Sequence, residues 1–393
     1  MNPKVVISYA QTVFLPWSDF MNFYPVVFLL LTPAFSCSQI AMTQAAPAAA
    51  WHDPSPHRSL IVTADHDVQL EVLDWGGTGR PLVFLAGLGN TAHIWDNFAP
   101  EFTDNHHVYA ITRRGFGKST HAATGYTPER LADDILAVMA QLKIEKPVLV
   151  GHSIAGEELS SIGTRYPKRI SALIYLDAAY TYAFYDAAGD YEASLNEFQE
   201  EISALAKTPG DTNLMDQVKA ELPQFDQNLN RIVNSAENPL PLPYAPPNAA
   251  DKSSYAAMIK RMTVAVGGTP PEAEPRESYL ARPDGGVGSP NAAPEAASAI
   301  FKGYEHYTAP IPLPILAIMG YPQNKGANFR ADTPKNVAAA AAADANQERQ
   351  IEAFERGQPT AQVIRIADAN HYSFISNQPQ VFKEMNEFLN RLR

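Results

Sequence analysis

The stretch Pro147-Val148-Leu149-Val150-Gly151-His152-Ser153-Ile154-Ala155-Gly156-Glu157-Glu158-Leu159 runs from a short apolar strand straight into a helical pattern, with one serine at the junction. A G-x-S-x-G corner needs small residues two before and two after the serine, because strand and helix backbones pass closely there. Gly151 and Ala155 hold those places. The alanine departs from the pattern, but its methyl group is small and Gly156 follows at once. Ser153 then heads a helix, where unpaired backbone N–H groups and the positive end of the helix dipole favour a developing anion. The Ile154 N–H is the expected donor to it. A serine that merely caps an ordinary strand-turn-helix looks the same locally, so the rest of the chain has to decide.

Outward from this corner, strands and helices alternate. Ser59–Thr63 and Val68–Asp74 read as a hairpin ended by Gly76-Gly77. Pro81–Ala86 is a continuous apolar run of buried-strand type that ends at Gly87-Leu88-Gly89-Asn90. Strand His107–Thr112 leads into the loop Arg113–Ser119, and then into a helix from Pro128 to Leu142 with Leu131, Ile135, Val138, Met139 and Leu142 at helical spacing. Past the corner, a helix over 154–166 precedes strand Ala172–Leu176, which ends at Asp177. After an interruption come strand Pro314–Gly320, an Ala-rich helix Thr333–Arg356 polar enough to project from the body, strand Gln362–Ile366 and an amphipathic helix Gln378–Leu392. This alternation predicts an α/β architecture, a mostly parallel sheet with helices on both faces.

The interruption, 181–309, reads as a helical lid inserted between two strands, with helices near Glu192–Lys207, Asn213–Leu222 and Lys252–Val266. Proline-rich stretches, Asn238–Pro247 and Thr269–Pro294, divide them, and the Pro/Gly/Ala-rich piece 268–298 reads equally well as a disordered linker. The core is thus expected in two parts, 51–180 and 310–393. Residues 1–50 look like a secretory leader. An apolar run around Val26–Leu31, short for a membrane span, precedes an Ala-rich zone. A secreted or periplasmic protein without an integral span follows as the expectation, with lipid attachment at Cys37 the lesser alternative because the residues before it lack a lipobox aliphatic.

Composition narrows the partners. The 393 residues are 46% apolar and 18% charged, with a formal charge of −12 and no basic stripe. Nucleic acid and anionic membrane surfaces require the opposite sign, so a small-molecule substrate is expected. A single cysteine excludes an internal disulfide or a cysteine metal cluster. The ten histidines are dispersed, and His52, His57 and His66 read as a surface approach to the fold, so no metal is expected.

A serine hydroxyl is a weak nucleophile that needs a base in contact, and the base needs an anion to fix its tautomer. Catalytic groups of open α/β sheets gather at the C-terminal ends of strands. His371, in the loop Ala367-Asp368-Ala369-Asn370-His371, and Asp177 both stand at such ends. The order Ser, Asp, His, together with Leu85-Ala86-Gly87-Leu88-Gly89, Arg114–Ser119, the serine corner and Ala369-Asn370-His371 before a terminal helix, resembles the α/β-hydrolase superfamily from about Ser59 to Leu392, the insertion excepted. The resemblance implies an α/β-hydrolase fold and acyl transfer by Ser153, His371 and Asp177, with the Leu88 N–H as the second oxyanion donor beside Ile154. Ala86 replaces a histidine common in that loop, which removes no backbone donor. The family's acid usually follows the strand matching Pro314–Gly320, where no carboxylate occurs before Asp332. Some members carry it one strand earlier, at the position of Asp177.

The neighbours divide by role. Glu157 and Glu158 suit the helix dipole, Asp368 suits loop capping, Arg114 suits bracing its loop on a carboxylate, and His152 suits packing beneath the corner. Tyr180, Tyr182 and Phe184 read either as an aromatic substrate pocket or as core of the insertion. Hydrolysis of a small or medium ester or lactone, requiring no metal or organic cofactor, is the expected function. A carbon–carbon bond hydrolase or perhydrolase with the same triad is the alternative within the class, and a ligand-binding receptor with an idle triad is the alternative outside it. A haloalkane dehalogenase is disfavoured, since it needs a carboxylate where Ser153 stands.

Overall fold

A computed structural model describes residues 51–186, 191–222, 247–303, 305–324 and 333–392. The leader with Cys37, most of Asn238–Pro247, and Asp332 lie outside the described residues. In chain order the first half contains β1 (Arg58–Asp65), β2 (Val68–Gly76), β3 (Leu82–Leu85), β4 (Val108–Ile111), α1 (Pro128–Gln141), β5 (Val148–His152), α2 (Ala155–Arg165) and β6 (Ala172–Leu176). The insertion carries α3 (Tyr191–Lys207), α4 (212–222), α5 (Tyr255–Val266), α6 (Ala273–Ser278), β7 (Tyr279–Ala281), β8 (Val287–Pro290) and α7 (Ala296–Lys302). The chain then closes with β9 (Ile315–Gly320), α8 (Pro334–Gly357), β10 (Ala361–Ile366), α9 (Ser373–Ser376) and α10 (Gln378–Arg391).

Eight strands form one sheet in the order β1-β2-β4-β3-β5-β6-β9-β10. Only the β1–β2 and β2–β4 pairs are antiparallel; every other neighbour is parallel. The central strands β3, β4, β5, β6 and β9 are buried along their whole length, which is why they read as unbroken apolar runs rather than as alternation. One face of the sheet packs against α1, α2 and α8 through Val138, Leu159, Ile162 and Phe354, and the other against α10 and the turns of 92–102 through Trp95, Phe98, Met385 and Leu389. Helix α1 starts where Thr127 accepts from the Arg130 N–H and Pro128 takes the first turn, both favoured there.

Two expectations are corrected. The piece 268–298 is folded, and the insertion is not wholly helical. β7 and β8 pair as a small antiparallel hairpin, and Phe116 bridges to Ala292 just beyond it. Helix α8 does not project along its second half. Ile351 and Phe354 are fully buried, Gln347 donates to the Gly320 carbonyl at 2.9 Å, and Glu355 pairs with Arg365 of β10 at 2.8 Å. Gln347, Glu348 and Glu355 are thus engaged with β9 and β10.

Candidate active site

The corner after β5 closes as the small residues require. Ser153 sits at φ +54°, in the left-handed region, and its N–H donates to the Leu176 carbonyl at 3.2 Å. A non-glycine residue there stores strain that the surrounding backbone must hold in place. Gly156 explains how Ala155 is tolerated: a Cβ at 156 would lie 2.2 Å from the Ala178 carbonyl oxygen, so the close approach occurs one residue later than the pattern places it.

Asp177 stands at the tip of β6, directly beside β5, and is also left-handed at φ +45°. Its fully buried carboxylate accepts from the Gly320 N–H at 3.0 Å and from Gln323 Nε2 at 2.9 Å, and lies 2.5 Å from His371 Nδ1. With Nδ1 committed to the carboxylate, the other ring nitrogen of His371 is left to take up a proton. Beneath it, the His152 ring lies 4.7 Å from the His371 ring, and its Nε2–H donates to the His371 carbonyl at 3.1 Å. Burial, and then the charge of His371, hold His152 well below the usual imidazole range, so it serves as a neutral support. Among the described residues, no hydrogen bond joins Ser153 to His371. The Tyr182 phenol is instead within reach of the Ser153 hydroxyl.

Neither the Leu88 nor the Ile154 N–H donates to a backbone carbonyl among the described residues, whereas the neighbouring Asn90 and Ser153 N–H groups do. The loop that presents Leu88 is held by a residue the sequence reading passed over. Arg113 donates to the Ala86 carbonyl at 3.0 Å and to Gly87 at 3.4 Å, and clamps Glu158 of α2 with two bonds of 2.5 and 2.8 Å. Glu158 is thus an ion-pair partner rather than only a complement to the dipole. Arg114 pairs with Asp134 at 2.6 Å, as its bracing role implies. Glu157 is buried with both carboxylate oxygens unpartnered, and burial, followed by the charge of Glu158, pushes its pKa up to about 9. The Asp368 N–H donates to Pro322 from a left-handed turn.

A second buried network links three loops. The Tyr372 hydroxyl donates to Asn90 Oδ1 at 3.0 Å, Asn90 Nδ2 donates to Glu274 of α6 at 2.8 Å, and the Thr91 hydroxyl donates to the same carboxylate at 2.6 Å. Of the aromatic candidates, Tyr182 packs with Leu88, Phe116 and Ile154 beside the serine. Tyr180 lies behind, 5.8 Å from the Tyr182 ring, with its hydroxyl accepting from Gln347. Phe184 is buried in the main core against Gly357, which makes it a core residue.

The α/β-hydrolase fold family matches residues 80–378, and the chain belongs to that family. Similar proteins include a bifunctional esterase/perhydrolase of Acinetobacter calcoaceticus, 34% identical over 108 residues, which are 27% of this chain and 39% of that one. A non-heme chloroperoxidase of Kitasatospora aureofaciens is 32% identical over 120 residues, 30% of this chain and 43% of its own. The matched stretches therefore span about two fifths of these relatives. Among solved structures, E-2-(acetamidomethylene)succinate hydrolase superposes with a TM-score of 0.55 at 17% identity, covering 85% of this chain and 99% of that one. Among the described residues, no helix is long and apolar enough to cross a membrane.

Proposed function

We propose that the chain is a serine hydrolase that cleaves small or medium carboxylic esters or lactones through an acyl-enzyme. His371 removes the hydroxyl proton as Ser153 attacks the carbonyl, and the Leu88 and Ile154 N–H groups receive the oxyanion. His371 then protonates the leaving alcohol, and water repeats the sequence on the acyl-enzyme. Asp177 holds the imidazole and stabilises its charged form. The observation that carries this reading is the 2.5 Å contact between Asp177 and His371 on the rim that also presents Ser153 at a strained corner. Loss of one oxyanion donor costs ~10²–10³ in turnover in comparable sites, so the Arg113 clamp on the Leu88 loop matters as much as the side chains.

In this reading the insertion acts as a lid, with Tyr182, Leu88 and Ile154 as the apolar wall beside the serine and Tyr180 behind them. The leader directs the enzyme to the periplasm or the medium. The test is a fluorophosphonate probe combined with a short-chain p-nitrophenyl ester. Labelling and turnover are both expected, and both vanish in Ser153→Ala. Labelling without turnover on a panel of esters and lactones would instead mark a receptor with an idle triad. The esterase/perhydrolase relative favours a second reading, in which hydrogen peroxide replaces water and the acyl-enzyme yields a peracid. Peracid formation dependent on Ser153 is the measurement that separates it.

A further inference from the structure

Four side chains outside the serine site converge on a single point. Asp53 and His57 come from the segment before β1, and His93 and Asp96 from the turn after the Leu88 loop. Their ligand atoms all lie within 4.8 Å of one another. His57 Nε2 is 3.1 Å from Asp53 Oδ2 and 3.3 Å from Asp96 Oδ1, and His93 Nδ1 is 3.2 Å from Asp53 Oδ2 and 3.0 Å from Asp96 Oδ2. We propose that this cluster is a closed, structural zinc site that staples residues 53–57 to the 92–96 turn.

The cluster is close to the size of a tetrahedral site. Zinc binds imidazole nitrogen and carboxylate oxygen at ~2.0–2.2 Å, so the edges between ligands are roughly 3.3–3.6 Å, and the four contacts, at 3.0 to 3.3 Å with Asp96 using Oδ1 toward His57 and Oδ2 toward His93, open slightly around the ion. Hydrogen bonding accounts for two of the four contacts, His57 Nε2 with Asp53 Oδ2 at 3.1 Å and His93 Nδ1 with Asp96 Oδ2 at 3.0 Å, but not for the whole arrangement. Asp96 Oδ1 is buried and has no hydrogen-bond partner, although His57 Nε2 is 3.3 Å away, because the two are not aligned as donor and acceptor. Two atoms aimed at a common centre instead of at each other are what coordination produces. The surroundings support two of the four ligands, Asp53 and His93, while His57 Nδ1 is buried without a hydrogen-bond partner. The Ser55 N–H occupies the other oxygen of Asp53 at 2.9 Å, which turns Oδ2 inward. His93 Nε2 faces Glu71 Oε1 at 3.5 Å, the outer carboxylate partner that metal-bound histidines usually have. The two aspartates neutralise a divalent cation. A neighbouring group, Glu71, His93 and Glu277, is already served by Lys118, whose ammonium lies 3.4 Å from Glu71 and 2.6 Å from Glu277.

Four protein ligands leave no open position, so the ion takes no part in ester chemistry. The sequence groups His57 with His52 and His66 in a segment that reads as a surface approach. The His57 side chain is in fact 7% exposed, and apart from Asp53 its partners lie some forty residues on.

The experiment uses the full chain stripped with a chelator and then loaded with zinc alone. The expected results are one tightly held zinc per chain by elemental analysis after gel filtration, and a thermal midpoint raised by several degrees. Cobalt(II) should give the intense visible bands of a four-coordinate ion, which zinc then removes. His57→Gln and Asp96→Asn should each weaken zinc binding at least tenfold and abolish the thermal shift. A wild-type chain that retains no zinc would overturn the proposal and leave a hydrogen-bonded cage around a protonated His93. So would the pale spectrum of six-coordinate cobalt, which needs no variant to fold, or variants that bind zinc as tightly as the wild type.

Discussion

Asp177 carries three acceptor duties with two oxygens, to the Gly320 N–H, to Gln323 and to His371. An asparagine there keeps the volume but offers only one acceptor atom, and its amide cannot fix the His371 tautomer as a carboxylate does. Asp177→Asn is therefore expected to lower kcat by ~10³–10⁴ with an unchanged circular dichroism spectrum, while Asp332→Asn leaves kcat in place. The reverse pattern would move the acid to the strand that more often carries it. Glu157 gives a different test. A carboxyl whose folded pKa is raised to about 9 binds more protons folded than unfolded between its unfolded value near 4.5 and about 9. Stability then falls as pH rises through that window, by up to about 1.4 kcal/mol per pH unit from this one group. Glu157→Gln cannot ionise, so its denaturation midpoint should decline less between pH 5 and 9 than that of the wild type, with the largest gain at the alkaline end. Parallel pH profiles would show that Glu157 finds a partner in solution.

At the scale of elements, the clamp between Arg113 after β4 and Glu158 on α2 spans the strands that carry the Leu88 loop and the serine corner. Breaking a buried pair leaves an uncompensated charge. Arg113→Met is expected to cost ~3–5 kcal/mol in urea denaturation, and the double variant Arg113→Met/Glu158→Leu should recover much of it. Turnover should stay depressed in the double variant, because the Ala86 and Gly87 carbonyls have lost their donor in both. The parts of this arrangement differed in how legible they were. The corner, β3 to β6 and α1 could be read because burial on both faces of a parallel strand, or on one stripe of a helix, writes itself into consecutive residues. Asp177 and His371 could be read because strand ends are visible in that pattern. The Arg113 clamp could not: β4, β3 and β5 are neighbours in the sheet but not in the chain, and nothing local says which acid an arginine meets. Nor could the hairpin at 279–290, whose β7 and β8 span three and four residues and bury little, so no periodicity marks them. Tyr182 is legible in the sequence only as one of three aromatics that could line a pocket, since its nearness to Ser153 depends on how the chain turns after β6.

The molecule as a whole is a sheet with a segment inserted between β6 and β9 that the sheet's own alternation does not account for. That segment is tied down at several points. Glu274 bonds the Asn90–Thr91 turn, Asn370 Nδ2 donates to the Ala265 carbonyl, and the 115–117 loop exchanges backbone bonds with 291–293. The last of these depends on a residue without a side chain. Gly115 sits at φ +85°, and a Cβ there would come 2.6 Å from the Tyr126 hydroxyl and 2.8 Å from Ala296 Cβ. Gly115→Ala should cost ~1–3 kcal/mol in backbone strain and displaced contacts, and the loss should be local in kind. Hydrogen exchange is expected to quicken at the amides of β8 and α7 while β3, β5 and β6 keep their protection, because the sheet's core on both faces does not pass through Gly115. Turnover should change with it, since Leu88, Ile154 and Tyr182 share an apolar cluster with Ala296 and Ile300 of α7. Exchange that rises equally across core and insertion would mean that the two unfold as one unit, and the proposed lid could then not open over the serine without unfolding the sheet beneath it.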